Sequence, residues 1–156
     1  MFLLCRRYMR TDEDAEEMML NGYLKIFQSI YQFDYVDDPS TLAWVKKVMI
    51  NECLMHLRKK NMFSLFADIP FDSADHAESV LEKLDADEIF RLIIELPMGY
   101  RTIFNLFVIE GMTHKDISIT LGIKEGTSKS QLSKARSMLK HLLEQKEIRY
   151  AGQKTK

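Results

Sequence analysis

A chain of 156 residues with 46% hydrophobic and 29% charged side chains can bury a core, which sets aside an intrinsically disordered protein. Its formal net charge of −1 lacks the basic excess of a protein that binds nucleic acid unaided, and no run approaches the roughly 18 apolar residues of a membrane span. Two cysteines without a C-x-x-C spacing suit a reducing cytoplasm rather than a disulfide framework.

The opening MFLLC is too short for the apolar stretch of a signal peptide and meets Arg6 and Arg7 at once. Thr11 and Asp14 have the spacing of a capping box. Ala15, Met18, Met19, Tyr23, Ile26, Phe27 and Ile30 then recur at helical spacing, which predicts a helix over about 12–32. FDYVDDPS (33–40) reads as a loop, because its three acids and Pro39 supply turn chemistry, and Ser40 is the expected cap of a second helix over about 41–60. Cys53 and His56 share a face of that helix at i, i+3 but lack two further ligands, so they read as a core pair rather than a zinc site. At about 100° per residue, Lys47, Asn51 and Arg58 fall within about 40° of one another, beside a seam of Trp44, Val48 and Met55. A cation, an amide and a cation on one stripe can hold phosphate and a base edge.

Residues 61–84 lose the periodicity, contain Pro70 and accumulate acids, which predicts a linker between two lobes. A helix near 85–95 follows, then a second opened by Pro97 and closed by Gly111, and a third starting at Thr113 with Asp116 as its capping partner. Gly122 ends the third, and a fourth runs over about 125–145. A short helix, a tight glycine turn and a longer helix make a helix-turn-helix. On the fourth helix Leu132, Ala135, Leu139 and Leu142 form the inner face, while Lys129, Ser133, Arg136, Ser137 and Lys140 lie opposite, flanked by Ser130 and Lys134. Small hydroxyls let the backbone sit close in a major groove while lysine and arginine reach phosphates or guanine edges. The expected fold class is all-α: two small helical domains joined by a linker, the C-terminal one a four-helix helix-turn-helix domain.

LPMGYRTIFNLFVIEGMTHKDISITLGIKEGTSKSQLSKAR (96–136) resembles region four of bacterial sigma factors, particularly the extracytoplasmic-function (group IV) type of the sigma-70 family. DEDAEEMMLNGYLKIF (12–27), a loop, and AWVKKVMINECLMHLRKK (43–60) are similar to region two of the same family. The resemblance implies a region-two-like domain over 1–60, an acidic linker over 61–84, and a region-four-like domain with a short C-terminal tail over 85–156. It also implies a function: bringing core RNA polymerase to promoters, with region two on the minus-ten element and region four on the minus-thirty-five element.

The implied sites follow residue by residue. Asp14, Glu17, Leu20, Asn21 and Leu24 lie on the helix that docks on the clamp helices of the polymerase β′ subunit. Lys47, Asn51 and Arg58 lie on the helix that binds and opens the minus-ten element, with Asn51 matching the family's asparagine at the pocket for a base turned out of the duplex. FDYVDDPS would form the other wall, where Phe33 and Tyr35 either stack on bases or staple the helix end, and Trp44 belongs to the core. Thr127, Lys129, Ser130, Gln131, Ser133, Lys134, Arg136 and Lys140 would meet the minus-thirty-five element. The implied partners are core RNA polymerase, through the β′ clamp helices and the β flap, promoter DNA and an anti-sigma factor, with no cofactor and no membrane insertion. Leu20 and Asn21 depart from the family's glutamine and acid, and Lys124 stands where a serine-like cap usually precedes EGT. Residues 2–9 read as the tail of a helical segment that the family carries further upstream.

No G-x-x-x-x-G-K-[ST], G-x-S-x-G or H-E-x-x-H occurs, and His56, His76, His114 and His141 are scattered, so an enzyme is not expected. The alternatives are a regulator that binds DNA without polymerase and a sigma-like interaction adaptor.

Overall fold

The computed structural model of the protein describes residues 1–59 and 86–153, with side chains over 1–59 and 87–145. The expected linker over 61–84 lies outside the described residues. By its packing the chain divides into two units, Met1–Ser64 and Leu65–Lys156, and among the described residues every regular element is a helix.

The first unit holds α1 (Phe2–Arg6), α2 (Asp12–Ser29, extended by a 3₁₀ turn over Ile30–Gln32) and α3 (Asp38–Lys59). Thr11 starts α2 as the spacing predicts: its hydroxyl oxygen accepts the Asp14 N–H at 3.1 Å, and Asp12, Glu13 and Asp14 complement the positive end of the helix. The start of α3 differs from the expected one. Asp37, not Ser40, is the cap, accepting the Ser40 N–H on Oδ1 at 2.7 Å and the Thr41 N–H on its backbone carbonyl at 3.0 Å. Pro39 permits this early start, because a proline in the first turn has the right φ and no N–H to leave unpaired. Hydrogen bonds from Ser40 hold the Asp37 carboxyl below its ordinary value.

Ala15, Met18, Gly22 and Ile26 of α2 are buried against Met49, Cys53, Leu54 and Leu57 of α3. The short loop makes the two helices antiparallel neighbours, with Asp14 opposite His56 at 3.7 Å and Lys25 paired to Glu52 further along. Gly22 lets them approach closely, since a Cβ there would run into Met49 Sδ. α1 packs on both helices and contributes Leu4 and Cys5, while Tyr8 and Met9 close the core behind it. Cys5 and Cys53 therefore meet inside. Their thiols hydrogen-bond, and that contact together with burial pushes the Cys53 thiol well above its ordinary value, so it stays a protonated core group. The buried seam of α3 is thus rotated from the expected Trp44, Val48 and Met55. Trp44 and Val48 are half-buried and Met55 is exposed.

The second unit holds α4 (Ala86–Glu95), α5 (Met98–Phe104, running into a π turn over Asn105–Ile109), α6 (His114–Leu121) and α7 (Glu125–Gln153). Pro97 precedes α5, and the Arg101 guanidinium reaches back to donate to the Ile94 carbonyl at 3.2 Å, placing a cation at the negative end of α4. Thr113 caps α6 as expected, accepting the Asp116 N–H at 3.1 Å, and its hydroxyl donates to the Asp116 carboxylate at 2.6 Å, a side-chain bond in place of the reciprocal backbone one of a capping box. Gly111 and Gly122 both take positive φ, +69° and +68°. At Gly122 the chain closes α6 by returning the Ile123 N–H to the Ser118 carbonyl at 3.1 Å, a geometry a Cβ would strain.

α7 packs against α4, α5 and α6 along Leu132, Ala135, Leu139 and Leu143. Leu143 takes the place expected for Leu142, which is half-buried, and the helix continues past the expected end at 145 to Gln153. The interior of this unit is notably polar, with Arg101, Thr102, Asn105, Ser128 and Gln131 buried among its leucines and isoleucines.

Candidate nucleic-acid interface

On α3, Lys47, Asn51 and Arg58 are exposed on one face, turned away from the buried Met49, Cys53 and Leu57. At the entry to that helix Phe33 stacks on Trp44 with ring centroids 4.4 Å apart and planes inclined by 23°. Phe33 is thereby a staple for the helix end, and Trp44 is shielded by it rather than sunk in the core. Tyr35 remains 67% exposed, its hydroxyl donating to Asp38 Oδ1 at 3.0 Å. Of the two loop aromatics, only Tyr35 presents an open ring face.

The α2 residues expected at a protein partner separate into two kinds. Asp14 is half-buried and faces His56, so its carboxylate is engaged within the unit. Glu17, Leu20 and Leu24 are exposed, the two leucines by 63% and 56%, and Asn21 is half-buried. Phe27 and Tyr31, 68% and 97% exposed, continue the stripe of Leu20 and Leu24 within an arc of about 60°, opposite the buried Ala15, Met18, Gly22 and Ile26. Tyr23 and Ile30 are exposed as well, by 38% and 47%. A helix with apolar stripes on both sides needs a partner for the outer one. Periodicity alone does not tell the two stripes apart. The signal that separates them is their excess: α2 carries more apolar positions than one buried stripe can hold.

On α7, Lys129, Ser130 and Ser133 are exposed, and Thr127, Lys134, Arg136 and Lys140 are half-buried. Gln131 is a correction. It is only 3% exposed and belongs to the interior, so its amide is not available to a base edge. Its position on the wheel, beside Leu142, lies on the shoulder that α6 and α5 cover. Lys129 pairs with Glu125 one turn earlier at 2.7 Å, a bond that also holds the Glu125 carboxyl below its ordinary value. Ser128, absent from the expected contacts, is fully buried and its Oγ meets His114 Nδ1 at 2.9 Å. The His114 ring stacks on Phe107, centroids 4.3 Å apart. Burial first, and then the charges of Lys129 and Arg136 against the opposing Glu125, hold His114 below the ordinary histidine value, so its ring is neutral at pH 7. No sequence pattern pairs residues 114 and 128; only the fold brings them together.

Among the described residues no group of histidine, cysteine, aspartate and glutamate could hold a metal ion, and no helix is long and apolar enough to cross a membrane. Comparison with known proteins places both units. Residues 2–62 match the family described as Sigma-70 region 2, and residues 86–139 match Sigma-70, region 4. The chain is 28% identical over 142 residues to the ECF RNA polymerase sigma factor SigM of Mycobacterium tuberculosis, covering 90% of this chain and 69% of that protein. It is 23% identical over 155 residues to the ECF RNA polymerase sigma factor SigW of Bacillus subtilis, covering 91% and 82%. Among solved structures, the sigma factor RpoE of Bartonella quintana, crystallised with the anti-sigma factor NepR, has the same fold, with a TM-score of 0.55 at 22% identity over 92% of this chain and 89% of that one.

Proposed function

We propose that this chain, which belongs to the sigma-70 family of RNA polymerase sigma factors and to its extracytoplasmic-function type, directs core polymerase to promoters by dividing the work among three surfaces. The outer stripe of α2, Leu20, Leu24 and Phe27 with Glu17 and Asn21 beside it, docks on the clamp helices of β′. Lys47 and Arg58 of α3 hold the minus-ten phosphates, and Asn51 receives a base once the stack is broken. Thr127, Lys129, Ser130, Ser133 and Lys134 enter the major groove of the minus-thirty-five element, while Arg136 and Lys140 reach phosphates further along. The two lobes, 1–60 and 85–156, act as separate bodies on one connecting segment. The Bartonella quintana protein was crystallised with an anti-sigma factor, and a partner of that kind is proposed here too.

The observation that carries this reading is the family order itself, region 2 at 2–62 followed by region 4 at 86–139 in one chain. The net charge of −1 adds that the isolated chain binds DNA weakly, because its acidic segments repel phosphate until polymerase engages them. Run-off transcription with purified core enzyme on a genomic promoter pool tests the proposal. Start sites sharing two upstream elements, found only when both the chain and core are present, support it. Selective binding of promoter duplex by the chain alone would identify a free-standing regulator, and failure to initiate with cognate core would identify an adaptor.

A further inference from the structure

Three elements of the second unit converge on one side chain. His114, the first residue of α6, stacks on Phe107 of the π turn and bonds the hydroxyl of Ser128 in the first turns of α7 at 2.9 Å. Ser128 is fully buried, so no DNA contact explains its hydroxyl. A serine within a helix ordinarily returns its hydroxyl to a carbonyl of the preceding turn, as Ser130 does to Thr127 at 3.1 Å. Ser128 instead reaches across to another helix. Leucines along the rest of the α7 seam resist separation but tolerate sliding and rotation; a hydrogen bond is directional and does not. Side chains sit about 5–6 Å from a helix axis, so a rotation of about 10° moves a contacting atom by roughly 1 Å, enough to lose a base contact. The neutral ring suits this task, since an imidazolium would be drawn toward the nearby Glu125.

We propose that His114 and Ser128 are a positioning pair that sets the rotation of α7 about its own axis, and through it which minus-thirty-five bases the chain prefers. Ser128 is fully buried and touches no DNA. The proposal rests on the reading of α7 as the minus-thirty-five reader.

The test uses the full chain with core polymerase on a promoter library randomised in the minus-thirty-five element and fixed elsewhere, scored by transcript abundance. His114→Phe keeps the stack on Phe107 and removes the nitrogen; Ser128→Ala keeps the ring and removes its partner. Because preference is a ratio within one enzyme preparation, a loss of folded protein cancels. Both single variants are expected to change the preference at the same base positions, by about fivefold, the size of one ordinary hydrogen bond. The double variant should go no further than either single one, as expected of residues that act through one bond. His114→Asn, whose amide stands near the position of Nδ1, should restore part of the preference. Unchanged preference in the single variants, or changes that simply add in the double one, would overturn the proposal. If His114→Phe does not fold, Ser128→Ala decides alone. Lys134→Ala separates the two levels. A changed preference there with none in the pair overturns only the positioning role, and no change in any of the variants overturns the reading of α7 as well.

Discussion

The two units solve the same problem, holding a helix proposed to face nucleic acid, with different interiors. In the first, the core behind α3 is soft: Met9, Met18, Met49 and the Cys5–Cys53 thiols fill it, and Glu52, paired with Lys25, is its only buried charge among the described residues. In the second, branched and aromatic side chains are interleaved with Arg101, Thr102, Asn105, Ser128 and Gln131, all buried. Methionine and cysteine adapt to their surroundings, whereas buried polar groups demand fixed geometry. The difference matches the proposed tasks. A helix that meets melted DNA can tolerate adjustment, but one that discriminates base edges in a groove must be held in register.

Truncating the stiffer interior sharpens the comparison most. Ile103→Ala, at a fully buried site, should cost about 2–5 kcal/mol and unfold the second unit, whereas Met49→Leu in the first should cost under about 1.5 kcal/mol. Chemical denaturation followed by circular dichroism reads both. If the lobes are independent, Ile103→Ala leaves a separate transition for the first unit; one shared transition would contradict the proposed division.

A pH titration probes the polar interior specifically. His114 has a lowered value in the folded state, so the stability it supports is fully present above its ordinary value near 6.5 and is lost as pH falls from there toward the lowered one. The groups facing it are Lys129, Arg136 and Glu125 of α7 with Phe107 of the π turn. Second-unit stability should therefore decline below about pH 6.5, and His114→Phe should flatten that decline. An unchanged pH profile in the variant would assign the decline to other groups.

The smallest expected effect concerns Glu125. Its ion pair with Lys129 is exposed and screened by solvent and salt. Releasing Lys129 toward phosphate with Glu125→Gln should tighten upstream promoter binding by the holoenzyme about twofold, with the gain vanishing at high salt. Weaker binding would mean that the glutamate supports the start of α7 more than it restrains the lysine.

Local chemistry was legible in the sequence wherever a single turn decides the outcome. Thr11, Thr113 and Gly122 act as their spacing predicts, because capping and left-handed closure involve residues within five positions of each other. Asp37 was missed in favour of Ser40, since DDPS offers two caps and the proline allows the earlier one. What lies across space was not legible. The resemblance put Gln131 among the base-reading residues of α7, but its burial depends on what α5 and α6 cover. The same holds for His114 with Ser128, fourteen positions apart, and for Cys5 with Cys53. On α2 the helical spacing of the apolar residues was legible, but not their division into a buried and an exposed stripe, the exposed one holding the residues proposed for the polymerase.

The central claim is that α3 and α7 perform separable steps, and permanganate footprinting of the melted region tests it most directly. Wild-type, Asn51→Ala and Lys134→Ala holoenzymes are compared on one template and on its minus-thirty-five variants. Asn51 is exposed, so its loss should change stability by no more than about 0.5 kcal/mol. The account predicts that Asn51→Ala retains upstream binding and preference but loses permanganate reactivity around the minus-ten element, because its partner is a base available only after the stack opens. Lys134→Ala should do the reverse, opening DNA normally on the promoters it binds while changing which upstream sequence is preferred, by about 1–3 kcal/mol if a base contact is lost. Normal opening by Asn51→Ala, or a shift of its upstream preference, would contradict the assignment of α3 and with it the division of labour.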